Sequence, residues 1–586
     1  MSRREAILSA GLVFLVAIAV RGWAATQITF PRPEDVAYYV GVARNLVEGR
    51  GLVSDAIWSF NTPPLAFPRP AFEVWLPLPS FLAAIPMAIL GTTFAAAQVS
   101  SVVVGSIVCV LGWRLGADGA AARSMPVGRA RTLALGAGLT SAVYLPLVLA
   151  SAQPDSTMPF AALVLVACLL MGRMLRPRVV ARARARDTWL LGITLGLAAL
   201  TRNEAVWLAF TWAIVAWWVA RRAVAAGAVR PIRGISSVGR PVVNRSETTQ
   251  FGQWWPSVVF VGLIALLVFA PWAYRNWVEF GSPLPGQALT NALFLDGRDV
   301  FAWQDRPTLA RYLAAGLPTL LDLRVTGLVH NLMNVLLLLG VPVSVVGLIG
   351  LPAAWGMGRR PAPASSADAA RSSANPLRPL ILFAVITFAV ASLVFPVATT
   401  WGTFLHAAGA IHVLLVISAL LVLDAVIGWI GRRRGWTRPV AWLGPAFAIA
   451  GCLLFSGVLL VQDGRASRAG GAHFEALAAA LRDPSFAMPI GAEPGPIITD
   501  VPIWLAEATG HRTLALPNEP AASVLDLAQQ FDPPARLLVV SADNTGVWPS
   551  TILAGDPLSE CFVPLELPAQ ASASLDDVLA FRIRCP

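Results

Sequence analysis

The sequence of 586 residues contains no lysine, so all 44 of its basic residues are arginine. Chemistry through a lysine Schiff base is therefore excluded, and a site that needs a fixed cation has to use arginine. Charged residues make up only 13% of the chain, against about 25% in ordinary soluble domains, whereas 56% of the residues are hydrophobic. This composition excludes a disordered chain, a collagen and a soluble enzyme, and it indicates a polytopic membrane protein.

Cysteine is also scarce, with five residues in the chain. Cys109, Cys168 and Cys452 fall in apolar runs, where we expect them only to pack. Cys561 and Cys585 fall in the polar tail, where we predict that they form a disulfide, with two reduced thiols as the alternative. No Cys/His spacing typical of a metal site is present, so the sequence predicts no metal centre.

Apolar runs dominate the chain, and nine of them are long enough to cross a hydrocarbon core of roughly 30 Å as single helices. A longer run, Thr188–Ala220, is broken by polar residues at 201–204, which favours two short helices and brings the total to eleven spans. Pro77–Gly91 is too short to span and is predicted to be an interfacial or re-entrant helix. The nine runs are Ile7–Ala25, Phe94–Leu115, Thr132–Gln153, Pro159–Leu175, Trp255–Trp272, Asn331–Trp355, Leu380–Pro396, Ala408–Ile430 and Pro439–Val461.

The loops between these spans differ in arginine content, with 26 arginines on one side and 10 on the other. The positive-inside rule places the richer side, and with it the N-terminus, in the cytoplasm. Residues 26–76, 274–330 and 462–586 are then exposed on the outer face of the plasma membrane. Because topology accounts for the basic excess, no nucleic-acid partner is predicted. Ile7–Ala25 is expected to stay as an uncleaved anchor, since Arg21 interrupts it and no A-x-A site follows.

The tail, residues 462–586, is far more polar than the spans, and we predict that it folds as a small α/β domain outside the membrane. Residues 1–461 form the membrane domain that precedes it. The predicted strands of the tail are Pro496–Thr499, Thr513–Leu516 and Arg536–Val540, and its predicted helices are Phe474–Arg482 and Ala521–Gln530.

The first outer loop begins with acidic residues close to the end of the first span. Asp35, Tyr39 and Ala43 are spaced i, i+4, i+8, so they share one face of a predicted helix. A carboxylate held at the membrane boundary is suited to act as a general base. The alternative is that Glu34 and Asp35 only cap the helix.

Two further polar groups lie where spans emerge on the same side. Asp155 is an isolated carboxylate after the third span, and Thr201–Glu204 is a polar hairpin. Charged groups at membrane depth are costly unless they are paired or line a cavity. A helix cap at Asp155 and a structural ion pair between Arg202 and Glu204 are the alternatives. We expect instead that these groups share one cavity with the first loop.

Two single residues near span ends carry alternatives of the same kind. Arg275, just after Trp272, is either a snorkelling cation or an anion ligand. His406 is either a hydrogen-bonded packing residue or a participant in chemistry. The residues alone leave both alternatives open at both positions.

Five motifs occur in a fixed order along most of the chain: Asp35-x3-Tyr39-x3-Ala43-x-Asn45-Leu46-x2-Gly49-x-Gly51, Gln153-Pro154-Asp155, Leu200-Thr201-Arg202-Asn203-Glu204, Pro271-Trp272-x2-Arg275-Asn276-x4-Gly281-x-Pro283, and Ile498–Pro502 with Gly510–Pro517. In this order they resemble the GT-C membrane glycosyltransferases, in particular the branch of aminoarabinose transferases and protein O-mannosyltransferases. The first motif departs from the pattern of many members, in which an acidic pair begins at the aspartate. Here Val36 follows Asp35, and Glu34 precedes it. A lysine that some members place near the donor phosphate has no counterpart.

The resemblance implies an all-α membrane bundle of the GT-C type, with about 11 transmembrane helices and a small C-terminal extracytoplasmic α/β domain. It also implies transfer of a sugar, with inversion, from a polyprenyl-phosphate donor to a glycan, lipid or protein acceptor on the outer face. No cofactor is required in this interpretation, although Asp35 and Asp155 are placed to hold a divalent cation.

The resemblance also assigns roles to the acidic side of the site. Asp35 deprotonates the acceptor as the general base. Asp155 is the second catalytic carboxylate and orients the acceptor or the arginines. Tyr39 and His406 complete the candidate substrate-binding set.

The donor phosphate is assigned to arginine, because a guanidinium offers a two-pronged hydrogen-bonding fork. Arg202 and Arg275 are the leading candidates, and Arg69 is the third. Glu204 is expected to orient the acceptor or these arginines.

Two other classes of function stay open. A secondary transporter carries its charged residues near the bilayer midplane and shows an internal repeat, whereas here the polar groups cluster at the outer ends of spans. A catalytically inactive GT-C-like binding or assembly subunit is the second alternative. An active site predicts that Asp35, Asp155, Arg202 and Arg275 converge on one cavity.

Overall fold

The computed structural model describes residues 2–174, 181–228, 254–285, 287–357, 375–437, 440–483, 495–541, 548–568 and 575–585. Most of these residues lie in helices that pack around one large apolar core. The helices up to residue 481 are Arg3–Gln27, Glu34–Val47, Leu78–Leu90, Phe94–Ala122, Val127–Val143, Leu145–Ala152, Thr157–Met174, Ala181–Ala199, Ala205–Ala228, Trp254–Phe280, Gln287–Thr290, Asn291–Leu293, Gly297–Phe301, Leu309–Ala314, Gly316–Val329 with its π-helical continuation His330–Leu338, Val343–Trp355, Leu377–Leu393, Pro396–Thr400, Thr403–Ala407, Gly409–Arg433 and Leu443–Leu481.

Seven helices among the described residues are long and apolar enough to cross a membrane, and a bent pair, Val127–Val143 with Leu145–Ala152, adds an eighth if it is one span. The predicted count of eleven is therefore not confirmed. The apolar helices Ala205–Trp218, Val343–Trp355 and Leu377–Leu393 are shorter. A helix of up to 17 residues reaches only about 26 Å, less than the hydrocarbon core of roughly 30 Å.

The predicted single span over Asn331–Trp355 is wrong. One helix runs from Gly316 to Leu338 and a second from Val343 to Trp355, with a break between them. Gly340 and Pro342 lie in this break, and proline lacks the N–H that a continuous helix needs. The end of the predicted second outer loop, residues 316–330, is consequently helical.

Two local predictions of helix are confirmed, whereas the interfacial or re-entrant position of Pro77–Gly91 stays a prediction. Thr188–Ala220 belongs to two helices, Ala181–Ala199 and Ala205–Ala228, that meet at a short polar turn. Pro77–Gly91 contains the helix Leu78–Leu90. We call the helix Glu34–Val47 the loop helix. Apolar side chains of Leu78–Leu90 pack against Val36, Val40 and other residues of the loop helix.

A bend of 52° separates Val127–Val143 from Leu145–Ala152. Pro146 has no N–H to donate to the carbonyl of Ala142 four residues earlier. The buried guanidinium of Arg21 supplies a donor in its place, with Nη1 3.0 Å from Ala142 O. Its Nη2 also lies 3.2 Å from Ser141 O, and its Nε lies 2.9 Å from Ser151 Oγ. An arginine inside the first span thus stabilises the bend that leads to Asp155.

A six-stranded sheet combines the tail with the first loop. Its order is Ala56–Ile57, Thr513–Ala515, Ile497–Thr499, Leu537–Val540, Leu579–Ile583 and Phe562–Leu565. The first four strands are parallel to one another, and the last two pair in antiparallel fashion. The helices Pro502–Thr509 and Ala521–Gln529 connect the parallel strands of the tail. The remaining elements are Ser550–Leu553, Pro557–Cys561 and a two-stranded ribbon of Val53–Ser54 with Arg69–Pro70.

The tail and the membrane part are joined by one continuous helix. Leu443–Leu481 runs through the predicted boundary at residues 461 and 462 and contains most of the predicted tail helix Phe474–Arg482. The domain division stays a prediction. Near the end of the chain, the sulfur atoms of Cys561 and Cys585 are bonded to each other.

Candidate active site

The loop helix positions the first candidate residue. Glu34 and Asp35 lie in its first turn, where the negative charge of Asp35 is favourable to the helix dipole. After the helix ends at Val47, Gly49 and Gly51 adopt φ values of 81° and 88°, which glycine accepts without strain. The chain can therefore turn back sharply at the end of the helix, toward the ribbon that begins at Val53.

Asp155 and His406 form the centre of the site. The Nδ1 atom of His406 lies 2.9 Å from Oδ2 of Asp155, and both side chains are buried. Thr157 Oγ1 lies 2.8 Å from the same carboxylate oxygen and 2.9 Å from His406 Nδ1. The backbone N–H of Thr157 donates to Oδ1 of Asp155 at 2.8 Å. Asp155 is thus both a cap for the helix Thr157–Met174 and the partner that fixes the imidazole.

Asp35 lies on the other side of the same imidazole. Its Oδ2 atom is 3.4 Å from Nε2 of His406, within ion-pair distance, and its side chain is 26% exposed. Among the described residues, the Asp35 carboxylate has no hydrogen-bond partner in the protein. His406 therefore lies between two carboxylates, one buried and fixed, the other accessible.

The electrostatics of this group favour a charged imidazole. Burial acts to lower the pKa of His406, as does the positive charge of Arg202. The hydrogen bond with Asp155 and the negative charges of Asp155 and Asp35 act in the opposite direction. Together they outweigh the first two effects, so the pKa of His406 is raised. An imidazolium in this position offsets the charge of both carboxylates.

Arg202 connects the polar hairpin to this centre. Its Nη1 donates to Ser156 Oγ at 2.8 Å, and its Nη2 donates to the carbonyl of Thr403 at 3.1 Å. The guanidinium also forms a two-pronged pair with Glu204, at 3.0 and 2.8 Å. Arg202 thereby joins the segment after Asp155 to the segment before His406. The structural ion pair between Arg202 and Glu204, which was the alternative to a catalytic role, is therefore formed. It lies in the same cluster as Asp155 and His406.

Tyr39 completes the cluster from the loop helix. Its side chain is 2% exposed, and burial raises the pKa of its hydroxyl. Arg202 and a hydrogen bond with Ser156 act in the opposite direction, so both lie close to the phenol. The i, i+4 spacing from Asp35 therefore brings both side chains to the same site.

Arg69 is not part of this cluster. Its buried guanidinium pairs with Glu73 and donates to the carbonyls of Ser59, at 2.8 Å, and Thr62, at 2.7 Å. Burial lowers the pKa of Arg69 to about 10. Its contacts hold the first loop together, and its role as a phosphate ligand stays a prediction.

Arg275 also contacts the first loop. It donates to the carbonyls of Ala71 at 2.7 Å and Leu52 at 3.4 Å, and it lies over the rings of Trp272 and Phe280. These contacts favour the structural alternative, and its phosphate-binding role is likewise still a prediction. Of the four residues expected to converge, the structure brings together Asp35, Asp155 and Arg202.

Sequence reasoning missed Ser156, Thr157 and the contact of Glu34. The first two follow Asp155 directly, and an acid two residues before a helix is a recognisable capping signal. Glu34 instead accepts from the backbone N–H groups of Ile503 and Trp504, at 3.1 and 3.3 Å. No local signal predicts that contact, because the partners are separated by more than 460 residues.

No match to a protein family or to a curated protein is found for the sequence. Solved structures are similar in fold. ArnT from Cupriavidus metallidurans, bound to undecaprenyl phosphate, aligns over 99% of this chain and 98% of its own, with a TM-score of 0.55 and 13% identity. The oligosaccharyltransferase AglB from Archaeoglobus fulgidus, in complex with an inhibitory peptide and a dolichol-phosphate, aligns over 96% of this chain and 72% of its own, with a TM-score of 0.50 and 15% identity.

The chain therefore has the fold of the GT-C membrane glycosyltransferases, and the resemblance predicted from its motifs is confirmed. It is a membrane protein, as its seven long apolar helices also indicate. At such low identity the likeness defines the fold, and the chemistry has to be argued from the cluster around His406.

Proposed function

We propose that this protein is an inverting glycosyltransferase that transfers a sugar from a polyprenyl-phosphate donor to an acceptor on the outer face of the plasma membrane. The observation that carries the proposal is the arrangement of Asp35, His406 and Asp155. An accessible carboxylate with no hydrogen-bond partner among the described residues lies beside an imidazole that a second carboxylate fixes. Such a carboxylate is suited to accept a proton from an acceptor hydroxyl or amine.

In the proposed reaction, Asp35 is the only base. The acceptor oxygen or nitrogen attacks the anomeric carbon of the donor sugar and gives its proton to Asp35. The bond between that carbon and the phosphate oxygen breaks, and the polyprenyl phosphate leaves with the electron pair. Attack opposite the leaving group inverts the anomeric carbon. His406 and Asp155 are positioning residues, since Asp155 fixes the imidazole of His406 and that imidazole contacts the Asp35 carboxylate.

Arg202 is the candidate that lies close enough to assist the leaving phosphate. It already makes four hydrogen bonds, but exchange of Glu204 for a phosphate would keep its contacts to Ser156 and Thr403. A guanidinium binds a phosphate oxygen pair in the geometry that it uses for a carboxylate. In this proposal Glu204 orients Arg202 until the donor binds, and the donor phosphate then replaces the Glu204 carboxylate.

We further propose that the reaction needs no divalent cation between Asp35 and Asp155. The imidazole ring of His406 occupies the space that a bridging ion would need, with Nδ1 toward one carboxylate and Nε2 toward the other. Among the described residues, no group of three His, Cys, Asp or Glu side chains is arranged to hold a metal ion. The raised pKa of His406 supports a protonated ring, which supplies the positive charge.

The experiment that tests this function is transfer in vitro from a panel of radiolabelled polyprenyl-phosphate sugars into membrane extracts, with the purified full-length protein. We expect one donor to label an acceptor, with activity retained in EDTA and lost in Asp35→Asn. Binding of a donor with no transfer to any acceptor fraction would instead support an inactive binding subunit. Donor movement across proteoliposomes without transfer would support a transporter.

A further inference from the structure

A cavity of about 210 Å³ lies between the start of the loop helix, the sheet and Trp401. Its polar lining includes Glu34, Asp500 and Arg298, and its apolar lining includes the rings of Trp401, Trp504 and Trp548. This volume is below the roughly 300–1,000 Å³ of pockets for drug-sized ligands. The cavity is therefore of a size for one small ring rather than for a long chain.

The cavity lies where the topology of the sheet predicts a ligand. The chain passes from Ile497–Thr499 to Thr513–Ala515 on one side and then to Leu537–Val540 on the other, with all three strands parallel. Ligands of open parallel sheets bind at such a reversal of strand order, outside the carboxyl ends of the strands. Asp500 directly follows the central strand, and its Oδ1 accepts from the N–H of Ser541 at 2.8 Å.

The aromatic rings of the cavity are held by contacts of their own. The indole N–H of Trp504 donates to Pro31 O at 2.8 Å, and that of Trp548 donates to Glu519 O at 2.9 Å. Trp401 packs against Phe301 with ring centroids 5.9 Å apart. Because its N–H group is already bonded, Trp504 offers mainly its ring face to a ligand, beside the exposed ring of Trp401, whereas Trp548 is buried behind them. Such faces pack against the C–H face of a sugar ring.

The polar groups of the cavity are suited to hydroxyls rather than to a charge. Burial raises the pKa of Glu34 to about 8, against the opposing effect of the N–H groups of Trp504 and Ile503. At neutral pH its carboxyl group therefore both donates and accepts hydrogen bonds. The charges of Asp500 and Arg298, both in the lining, then have opposite signs and offset each other.

Two backbone links place the cavity beside the proposed site. Glu34 lines the cavity and is the neighbour of Asp35 in the chain, which sets their Cα atoms about 3.8 Å apart. On the other side, Trp401 is followed by Gly402, and a Cβ atom on that glycine would lie 3.4 Å from Nε2 of His406. The lining of the cavity is therefore one residue along the chain from Asp35 and one residue from Gly402, which lies against His406.

We propose that this cavity binds one uncharged pyranose ring next to Asp35, stacked on tryptophan and hydrogen-bonded through its hydroxyls to Glu34 and Asp500. The proposal rests on the proposed function, because that reaction brings a sugar to Asp35. The ring belongs either to the donor or to an acceptor glycan, and both present the same chemistry to the cavity.

Saturation-transfer NMR on the purified full-length protein in detergent tests the proposal without any turnover. The probes are methyl pyranosides that are neutral, anionic (a glucuronide) or cationic (a glucosaminide). We expect transfer to neutral probes and at least a tenfold weaker affinity in Trp401→Ala. Trp442→Ala is the matched control, because Trp442 and Trp401 are exposed to a similar extent, 59% and 56%, and Trp442 does not line the cavity. Transfer only to charged probes, or equal affinity in both variants, would overturn the proposal.

Two further measurements distinguish a donor ring from an acceptor ring, and the sugar site from the proposed function. If the ring belongs to the donor, a polyprenyl-phosphate sugar displaces the neutral probe whereas sugar-free polyprenyl phosphate does not. If it belongs to the acceptor, neither displaces the probe. Asp35→Asn is expected to retain probe binding. Probe binding by a protein that transfers no sugar from any donor would refute the proposed function and leave the sugar site standing.

Discussion

The Nε2 atom of His406 lies 3.4 Å from Oδ2 of Asp35, although 371 residues separate the two in the chain. Nδ1 of the same ring is already bonded to Asp155. Nε2 is buried and has no aligned hydrogen bond among the described residues. The contact with Asp35 is therefore electrostatic and leaves the carboxylate lone pairs available to a substrate proton.

Asp35→Asn tests the general base. The amide keeps the size of the side chain but removes its basicity, so we expect turnover to fall by about 10²–10⁴-fold, with donor binding retained. The measurement is single-turnover transfer together with a donor-binding assay. Asp118→Asn is the control, because Asp118 pairs with Arg114 outside the site. Turnover near the wild-type rate in Asp35→Asn would assign the base to another group.

His406→Gln tests the charge on the imidazole. The pKa of His406 is raised above its ordinary value of 6.5, so the folded chain holds this proton more tightly than the unfolded chain. Its stabilisation is full below about pH 6.5 and is lost as the pH rises through the folded pKa. We expect the gap in thermal midpoint between wild type and His406→Gln to be widest at acidic pH and to narrow in alkali. A gap in thermal midpoint for His406→Gln that widens with pH would contradict the assignment.

Glu34→Gln tests whether the carboxyl group of Glu34, which contacts Pro502–Thr509, is protonated in the folded protein. Burial raises the pKa of Glu34 from 4.5 to about 8, so the unfolded chain releases this proton first. The wild-type protein should therefore lose stability as the pH rises from 4.5 toward 8, by up to roughly 1.4 kcal/mol for each unit of pKa difference. Glu34→Gln cannot ionise and should lack that slope in unfolding experiments. Parallel pH curves for the two proteins would show that Glu34 is ionised in the fold.

Arg21→Met tests the bend before Asp155. The substitution removes the donors to Ser141 O, Ala142 O and Ser151 Oγ, and each buried group left unsatisfied costs about 1–3 kcal/mol. We expect a lower unfolding midpoint in detergent and reduced turnover. Gly22→Ala is the control, since a Cβ atom there meets nothing within 4 Å. Wild-type stability in Arg21→Met would show that water replaces the guanidinium.

The disulfide between Cys561 and Cys585 allows two tests, one of the stability of the tail and one of the side of the membrane on which the tail lies. The link closes a loop of 24 residues in sequence separation, for which chain entropy predicts a stabilisation of about 3 kcal/mol. Non-reducing mass spectrometry of a digest should give a linked peptide pair, and Cys585→Ser should unfold at a lower temperature. Thiols that a membrane-impermeant reagent labels only after lysis would reverse the predicted orientation.

Periodicity and composition were sufficient wherever a property is local. The two helices around the Thr201–Glu204 turn, the strands near Ile497, Thr513 and Leu537, and the shared face of Asp35 and Tyr39 all follow from residue spacing. The apolar runs also indicated a membrane protein, although the eleven spans that they predict are not confirmed. Gly340 and Pro342 broke one run, and length rather than hydrophobicity set apart the short helices.

The sequence by itself thus determined the class of fold and the presence of isolated polar residues in an apolar chain. Only the tertiary structure decided which of them meet. Arg69, Arg202 and Arg275 are equivalent as residue types, but two of them satisfy carbonyls of the first loop and one joins the segments of Asp155 and His406. The physical reason is that a buried guanidinium needs several acceptors at once, and acceptors from distant segments come together only in the folded chain.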